Sequence, residues 1–351
     1  MNYKLLEFLK CPVTKKKLEF KLISEFDKIY IQQSVREIKD GLLFSESGFI
    51  FPIIDGIPRM LVEAIYDYAE WLREHLNNYE IVVSTIEQKH PGLLDYCIKK
   101  NHRTKKSFQF EWSLLNYSEK DKIWHKNINE LSSVFCEEAN ETTGDLKTKK
   151  IIDIGCGHGL VSNSIGKYSS CVIGAELSLS VEGAYKNNEH SNVWFLQADL
   201  EFLPFSESTF DIAFSSGVLH HTKNTEASLS SVEPVLQSGG KLSIWLYHPR
   251  KDMFHTIMLF FRNITKKMPV RILHFLLLLF VFPVTFTIKK IKGMDITYRE
   301  EMIDLIDGFS PEFRFEHSQG EVISWLTRRR YHAIKITSVN KFGFSVAAVK
   351  S

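Results

Sequence analysis

The stretch Ile151-Ile152-Asp153-Ile154-Gly155-Cys156-Gly157-His158-Gly159 constrains this chain more than any other. Its apolar run, Ile151, Ile152 and Ile154, fits a buried parallel strand. Three glycines at alternate positions then leave bare backbone where a helix would begin, which suits a tight turn with φ > 0 and the close approach of a ligand. A dinucleotide fingerprint requires Gly-x-Gly-x-x-Gly, but Leu160 stands where its last glycine would be. The spacing therefore argues against NAD.

Further landmarks follow in order. Cys171 to Glu176 reads as a second strand ending in a carboxylate, 23 residues after Asp153. An acid at that point of a nucleotide-binding α/β fold can accept both ribose hydroxyls. A third strand, Val193 to Ala198, runs into Asp199-Leu200. Phe205 to Ser216 supplies a polar turn and a fourth strand, and Val232 to Leu242 supplies a helix, its glycine stop and a fifth strand.

The loop matches acidic-x-Gly-x-Gly-x-Gly at Asp153, Gly155, Gly157 and Gly159, and with the landmarks after it the chain resembles the class I S-adenosylmethionine-dependent methyltransferases. The resemblance implies an α/β fold, a doubly wound Rossmann-like seven-stranded sheet, over residues 107–351. It implies S-adenosylmethionine as cofactor, held by Asp153, Gly155, Cys156, Gly157, Gly159, Glu176, Leu177, Asp199, Leu200 and Ser216. In that family the acid at Asp199 accepts from the adenine amino group and the next backbone N–H donates to the ring. An antiparallel pair, Tyr331 to Ser338 and Phe342 to Val349, suits the sheet edge.

Open α/β sheets bind ligands beyond the carboxyl ends of their strands, so the acceptor site is expected past the fourth and fifth strands. The fourth ends Ser215-Ser216-Gly217-Val218-Leu219-His220-His221, without the Asn/Asp-Pro-Pro-aromatic sequence of nucleobase and glutamine amino-methyltransferases. His220 or His221 is a candidate general base for hydroxyl methylation, the other reading being that both only shape the pocket. Alignment and desolvation alone can carry methyl transfer from a sulfonium. Tyr247, Asp307, Arg314 and His317 are candidate acceptor-binding residues, the last three in a segment resembling one that reaches the acceptor in related methyltransferases. A helix from Asp295 to Asp307, stopped at Gly308, precedes that segment, and Ser318-Gln319-Gly320-Glu321 is a capping box opening the last helix.

Residues 1–61 read as a separate unit. Leu5 to Thr14 and Gly48 to Leu61 resemble the small zinc-ribbon-like domain known as a methyltransferase activator subunit. Thr14 stands where the second cysteine of a Cys-x-x-Cys knuckle would be, and Ser45 to Ser47 offer no thiolate. One cysteine cannot hold zinc, so the expectation is a β-rich, metal-free ribbon held by Phe20, Leu22, Tyr30, Phe49, Phe51 and Ile53. Residues 62–106 read as a helical linker. Ser107 to Trp112 resembles a signature that closes over the cofactor in some methyltransferases, and Glu119 to Phe135 reads as helical.

The most unusual stretch is a helical insertion at about 251–308. Between Lys251 and Gly293 it holds eight Lys/Arg and one acid, a net +7 against +2 for the whole chain. Its run Phe275 to Phe282, interrupted by Pro283, is too short and too broken for the roughly 20 residues of a transmembrane helix. Two readings stay open, a cap over the acceptor pocket and an interfacial element docking peripherally on anionic membrane through 251–293. Both favour a large or apolar acceptor.

Five scattered cysteines indicate neither a disulfide framework nor a metal cluster, which suits a reducing cytoplasm, at most peripheral to the membrane. Four apolar residues interrupted by Glu7, between Lys4 and Lys10, fall short of a signal peptide. The expected function is methyl transfer to a small-molecule or lipid- or glycan-linked intermediate. The alternatives are an RNA or protein acceptor, and a non-catalytic cofactor-binding scaffold or docking module. Nucleic acid is disfavoured for want of a basic face beyond the insertion. Oligomeric state is not legible.

Overall fold

The computed structural model describes residues 1–114, 122, 123, 126, 127 and 130–351. Two sheets organise it. The N-terminal sheet is antiparallel, in the order β1 (Leu18–Ile29), β2 (Ser34–Ser45), β3 (Ile50–Ile54), β4 (Ile57–Pro58). Phe49, Phe51, Ile53 and Tyr30 are buried there and Phe20 is partly so, but Leu22 is exposed, because a register irregularity between Leu22 and Ser24 interrupts the alternation of faces. Cys11 is buried; burial raises its thiol, but Ser45 and Thr14 beside it bring it below the usual value.

Four helices follow: α1 (Ala64–Asp67), α2 (Ala69–His75), α3 (Tyr79–Lys89) and α4 (Leu93–Ser113). The last runs without a break through the 106/107 boundary expected from the sequence, so the linker and the Ser107 to Trp112 segment are one helix. A short hairpin pairs β5 (Lys122–Ile123) with β6 (Lys126–Asn127). Most of the expected helix from Glu119 lies outside the described residues or in this hairpin; the helix here is α5 (Leu131–Ala139).

The second sheet has seven strands. In chain order these are β7 (Lys150–Ile154), β8 (Cys171–Glu176), β9 (Val193–Gln197), β10 (Phe210–Ser216), β11 (Leu236–Tyr247), β12 (Tyr331–Val339) and β13 (Gly343–Lys350). Their order across the sheet is β12-β13-β11-β10-β7-β8-β9. The strands β7 to β11 pair in parallel and β13 is antiparallel to both of its neighbours. Order reverses between β7 and β10, which opens a crevice at their carboxyl ends. Helices α6 (Leu160–Gly166), α7 (Ser180–Lys186) and α8 (Thr225–Val232) make the crossovers. Gly239 and Gly240 fall inside β11 rather than stopping a helix; Gly239 has φ +74°, where the pairing with β10 shifts register.

The N-terminal sheet is joined to the larger one through its edge. Arg59 bridges in parallel to Gln197, and the Met60 N–H donates to the Gln197 carbonyl at 2.7 Å. This covers an otherwise open edge strand, β9. One apolar cluster runs from Phe51 and Ile53 through Met60 and Ile65 to Ile173, Leu196 and Phe210.

After β11 come α9 (Met253–Thr265), α10 (Val270–Leu276), a π turn (Leu277–Val281), α11 (Phe282–Ile291) and α12 (Tyr298–Phe309). Pro283 does not break the helix, contrary to expectation. The π turn ahead of it lengthens the hydrogen-bond spacing and makes room for a ring without an N–H, so one helix continues from Val270 to Ile291. Nor does Gly308 stop α12, which runs on to Phe309. The last helix, α13 (Gln319–Arg328), is capped as expected, with Ser318 accepting from the Glu321 N–H.

Because the apolar cluster is shared, Phe51→Ala is expected to cost about 3–5 kcal/mol while unfolding stays a single transition in chemical denaturation; two resolved transitions would show that the sheets are independent. Metal analysis of purified protein is expected to find no stoichiometric zinc, and a one-to-one content would overturn the reading of Thr14 and Ser45.

Candidate functional site

The loop after β7 turns on glycines for two reasons. Gly155 and Gly157 have φ +73° and +54°, in the left-handed region. A side chain would also collide, at Gly155 with Val218 and at Gly157 with the Trp112 indole. The close approach is thus made by the protein's own ring as well as by any ligand, and α4 is seated on the loop through Trp112, which also packs on His158 with centroids 5.5 Å apart.

Glu176, at the end of β8, is 6% exposed. Its Oε2 accepts from the Gly157 N–H at 3.0 Å and its Oε1 from the Ser178 N–H at 2.8 Å. Burial pushes its carboxyl up and these backbone bonds pull it back. Each oxygen keeps a further lone pair, enough for a pair of hydroxyls. At the end of β9, Asp199 Oδ2 accepts from Lys100 at 2.6 Å and Asn101 at 2.9 Å, and Oδ1 from the Glu201 N–H.

A cavity of about 1370 Å³ runs from these carboxylates to the helices after β11. Gly155, Glu176, Leu177, Asp199, Leu200 and Ser216 line it. Asp153, Cys156, Gly157 and Gly159 do not, although all were expected to hold the cofactor. Asp153 is buried behind the loop, its Oδ2 accepting from Ser162, the third residue of α6, at 2.6 Å. Cys156 is buried, and burial beside Asp153 and Glu176 pushes its thiol well up. Gly157 contributes through Glu176.

The far end of the cavity is polar. His221 Nδ1 lies 2.9 Å from the Phe313 carbonyl and Nε2 lies 3.1 Å from Asp307 Oδ1. The Phe313 carbonyl thus holds one ring nitrogen while the other faces the Asp307 carboxylate. Tyr247 donates its hydroxyl to Asp307, and the Arg314 guanidinium stacks 4.1 Å from the Tyr247 ring. Burial raises the Asp307 carboxyl, but His221, Tyr247 and Arg314 together hold it below the usual carboxylate range. His221, Tyr247, Asp307 and Arg314, spread over 94 residues of sequence, therefore meet at one place.

Two candidates are not there. His220 is fully buried against Tyr247 and Trp245 and does not line the cavity; burial, then His221 and Arg314, push it well below its usual value, so it is neutral. His317 turns away to Thr225 at 2.9 Å and packs on Trp325. Conversely, Glu111, within the Ser107 to Trp112 segment, carries no role legible in the sequence. It lines the cavity between the two ends, and burial, Asp307, Asp304 and Glu176 raise its carboxyl well above normal. Lys100 and Asn101 stood in a stretch read as linker. Only Asp199, an acid about 100 residues further along the chain, gives them meaning.

The insertion forms the apolar wall: Phe254, Met258, Ile288, Ile303, Leu305 and Phe309 line the cavity. Lys289 ties α11 to α12 through Glu301 at 2.5 Å and Asp304 at 3.1 Å.

Residues 152–244 match the family described as a methyltransferase domain. Among curated proteins, the chain is 30% identical over 100 residues to a ubiquinone biosynthesis O-methyltransferase of Coxiella burnetii, covering 28% of this chain and 43% of that protein. It is 32% identical over 110 residues to a demethylmenaquinone methyltransferase of Corynebacterium kroppenstedtii, covering 31% and 47%. The chain spans less than half the length of these curated relatives. Among solved structures, magnesium protoporphyrin IX methyltransferase from Synechocystis with bound SAH aligns with a TM-score of 0.44 at 15% identity, over 72% of this chain and 98% of that one. Residues 152–244 are a methyltransferase domain, whose methyl donor is S-adenosylmethionine. The residues present fit that group: a carboxylate with two spare lone pairs, a second carboxylate one strand further, and a cavity that continues beyond both.

Burial raises Asp153 to about 7, above its unfolded value near 4, so its contribution to stability falls as pH rises through that window. Asn can accept from Ser162 equally well. The stability of Asp153→Asn relative to the parent protein is expected to improve between about pH 5 and about pH 8 in denaturant titrations; a difference independent of pH would contradict this burial.

Proposed function

We propose that the chain transfers a methyl group from S-adenosylmethionine to a hydroxyl of an apolar or lipid-linked small molecule. The observation that carries this reading is one continuous cavity, with Glu176 and Asp199 at one end and Asp307, Tyr247 and Arg314 at the other, beneath an apolar cap. Bound there, S-adenosylmethionine supplies an electrophilic methyl group on a sulfonium. Glu176 holds the ribose hydroxyls and Asp199 faces the adenine amino group through the lone pair that Lys100, Asn101 and Glu201 leave it.

At the other end Asp307 orients the acceptor hydroxyl and takes its proton as the O–CH3 bond forms. His221 and Tyr247 hold Asp307 in place, and His221, already facing two acceptors, is a positioning group rather than the base. The cap excludes water, so alignment and desolvation supply much of the rate. Apolar walls at Phe254, Met258 and Phe309 support an apolar acceptor. The curated relatives named for ubiquinone biosynthesis and demethylmenaquinone support a small molecule. An RNA acceptor is disfavoured because part of the positive charge at the cavity is already paired, Lys100 with Asp199 and Glu201, Lys289 with Glu301 and Asp304, and Arg314 with Glu316.

By calorimetry, Glu176→Ala is expected to weaken S-adenosylmethionine binding by about 1.5–3 kcal/mol; unaltered affinity would refute the ribose assignment. Asp307→Asn is expected to lower kcat on an accepted substrate by about 100-fold or more, with cofactor affinity unchanged. A variant as fast as the parent would remove Asp307 from the chemistry.

A further inference from the structure

The helices that cap the cavity turn two different faces to their surroundings. Inward, Met258 of α9, Leu273 of α10 and Leu277 of the π turn converge on Met302, Leu305 and Ile306 of α12. Outward, α9 exposes Met253, Ile257, Phe260 and Ile264, and the continuous helix 270–291 exposes Ile272, Phe275, Leu279, Phe280, Val284, Ile288 and Ile291. Most neighbours within each set are three or four residues apart, which fits an apolar side to each helix, and on α9 Phe254, Leu259 and Phe261 are exposed as well. Because the inward stripes meet on α12, the outward stripes both face away from it. Apolar stripes of this length left uncovered are unusual on a protein with nothing against them.

Charge identifies what covers it. The segment 251–293 carries +7 although the chain as a whole is only +2. Lys266, Lys267, Arg271 and Lys292 lie at the ends of the two helices, and none forms an ion pair among the described residues. Next to the outer end of α9 a second cavity, of about 470 Å³, is lined by Arg103, Arg262, Lys266, Lys267 and Arg314, with Glu312 as its acid and Leu259 and Phe315 as its apolar rim. An apolar stripe, flanking cations and a basic hollow beside it match, in order, the acyl layer, the phosphate layer and one headgroup of an anionic bilayer.

We propose that the outer face of residues 253–291 docks on an anionic lipid bilayer, with α9 and the helix 270–291 lying in its interface. The helix 270–291 is long and apolar enough to cross a membrane by length and composition. It lies on the surface instead, since Leu273 and Leu277 are committed to α12 and Lys289 to Glu301 and Asp304. Phe254 and Ile288 belong both to the exposed face and to the wall of the larger cavity. That cavity therefore opens toward the bilayer. An acceptor dissolved in lipid reaches it without crossing water; this last step rests on the methyl-transfer reading, but the docking does not.

The test is flotation of the full chain with vesicles of phosphatidylcholine alone and of phosphatidylcholine mixed with phosphatidylglycerol. Phe260 and Phe280 are each 69% exposed and touch neither cavity, so Phe260→Glu with Phe280→Glu leaves the packed side intact. The parent protein is expected to float with the anionic vesicles and much less with the neutral ones, with binding weakened by salt. The double Phe variant is expected to stay in solution with its circular dichroism unchanged. Lys266→Glu with Lys267→Glu is expected to lose at least about tenfold in affinity for anionic vesicles, each cation near the surface contributing about 1 kcal/mol. A parent protein that floats with neither vesicle, or a Phe variant that floats as the parent does, overturns the proposal. So does a parent protein that is dimeric by light scattering, ignores vesicles and becomes monomeric in the Phe variant, because the face is then a contact between copies. S-adenosylmethionine titration of the same samples separates the two readings: loss of cofactor binding in the parent refutes methyl transfer and leaves the flotation result standing.

Discussion

The carboxylate of Glu176 holds two loops in one arrangement. It accepts from Gly157 after β7 and from Ser178 after β8, and so sets the spacing of the crevice at the sheet's reversal point. A buried charge of this kind is tolerated only where donors are aimed at it. Those donors are backbone N–H groups, which point inward because the glycine loop takes left-handed conformations. The same turn leaves space for Trp112, and through it α4 is laid across the site. Lys100 and Asn101 on α4 then reach Asp199. One carboxylate, its loop and one helix thus place much of the cavity wall at that end.

The N-terminal sheet contributes from the side. By covering β9 it buries the strand that leads to Asp199, and Arg59 extends the contact to Glu182 of α7 at 2.8 Å. Its core is continuous with that of the larger sheet, so it acts as a buttress whatever else it binds. The insertion closes the opposite side. Its inward face completes the cavity and its outward face is left apolar, which ties the shape of that end of the cavity to the surface the protein presents.

How much of this could be read in advance depended on whether an interaction was local. The glycine loop, the strand ending at Glu176 and the Ser318 cap are each local, and the structure has them where the spacing put them. Pro283 misled because a π turn, a tertiary accommodation, absorbed it. Leu22 misled because a shift in strand pairing moved it to the surface. His220 and His221 are adjacent and chemically identical; only packing against Tyr247 and Trp245 separates a buried neutral ring from one that faces Asp307.

The succession of strands along the chain, the glycine loop and the acids at the strand ends were determined by sequence alone, because backbone conformation and hydrophobic period act over a few residues. Tertiary structure decided the rest. Asp153, Cys156 and Gly159 support the loop from behind, whereas Glu111, Lys100 and Asn101 reach the cavity from a helix read as linker. His221, Tyr247, Asp307 and Arg314 come from four segments. Their meeting depends on how α12 and the chain after it fold back over the sheet, and no spacing along the chain encodes a contact that long-range packing creates.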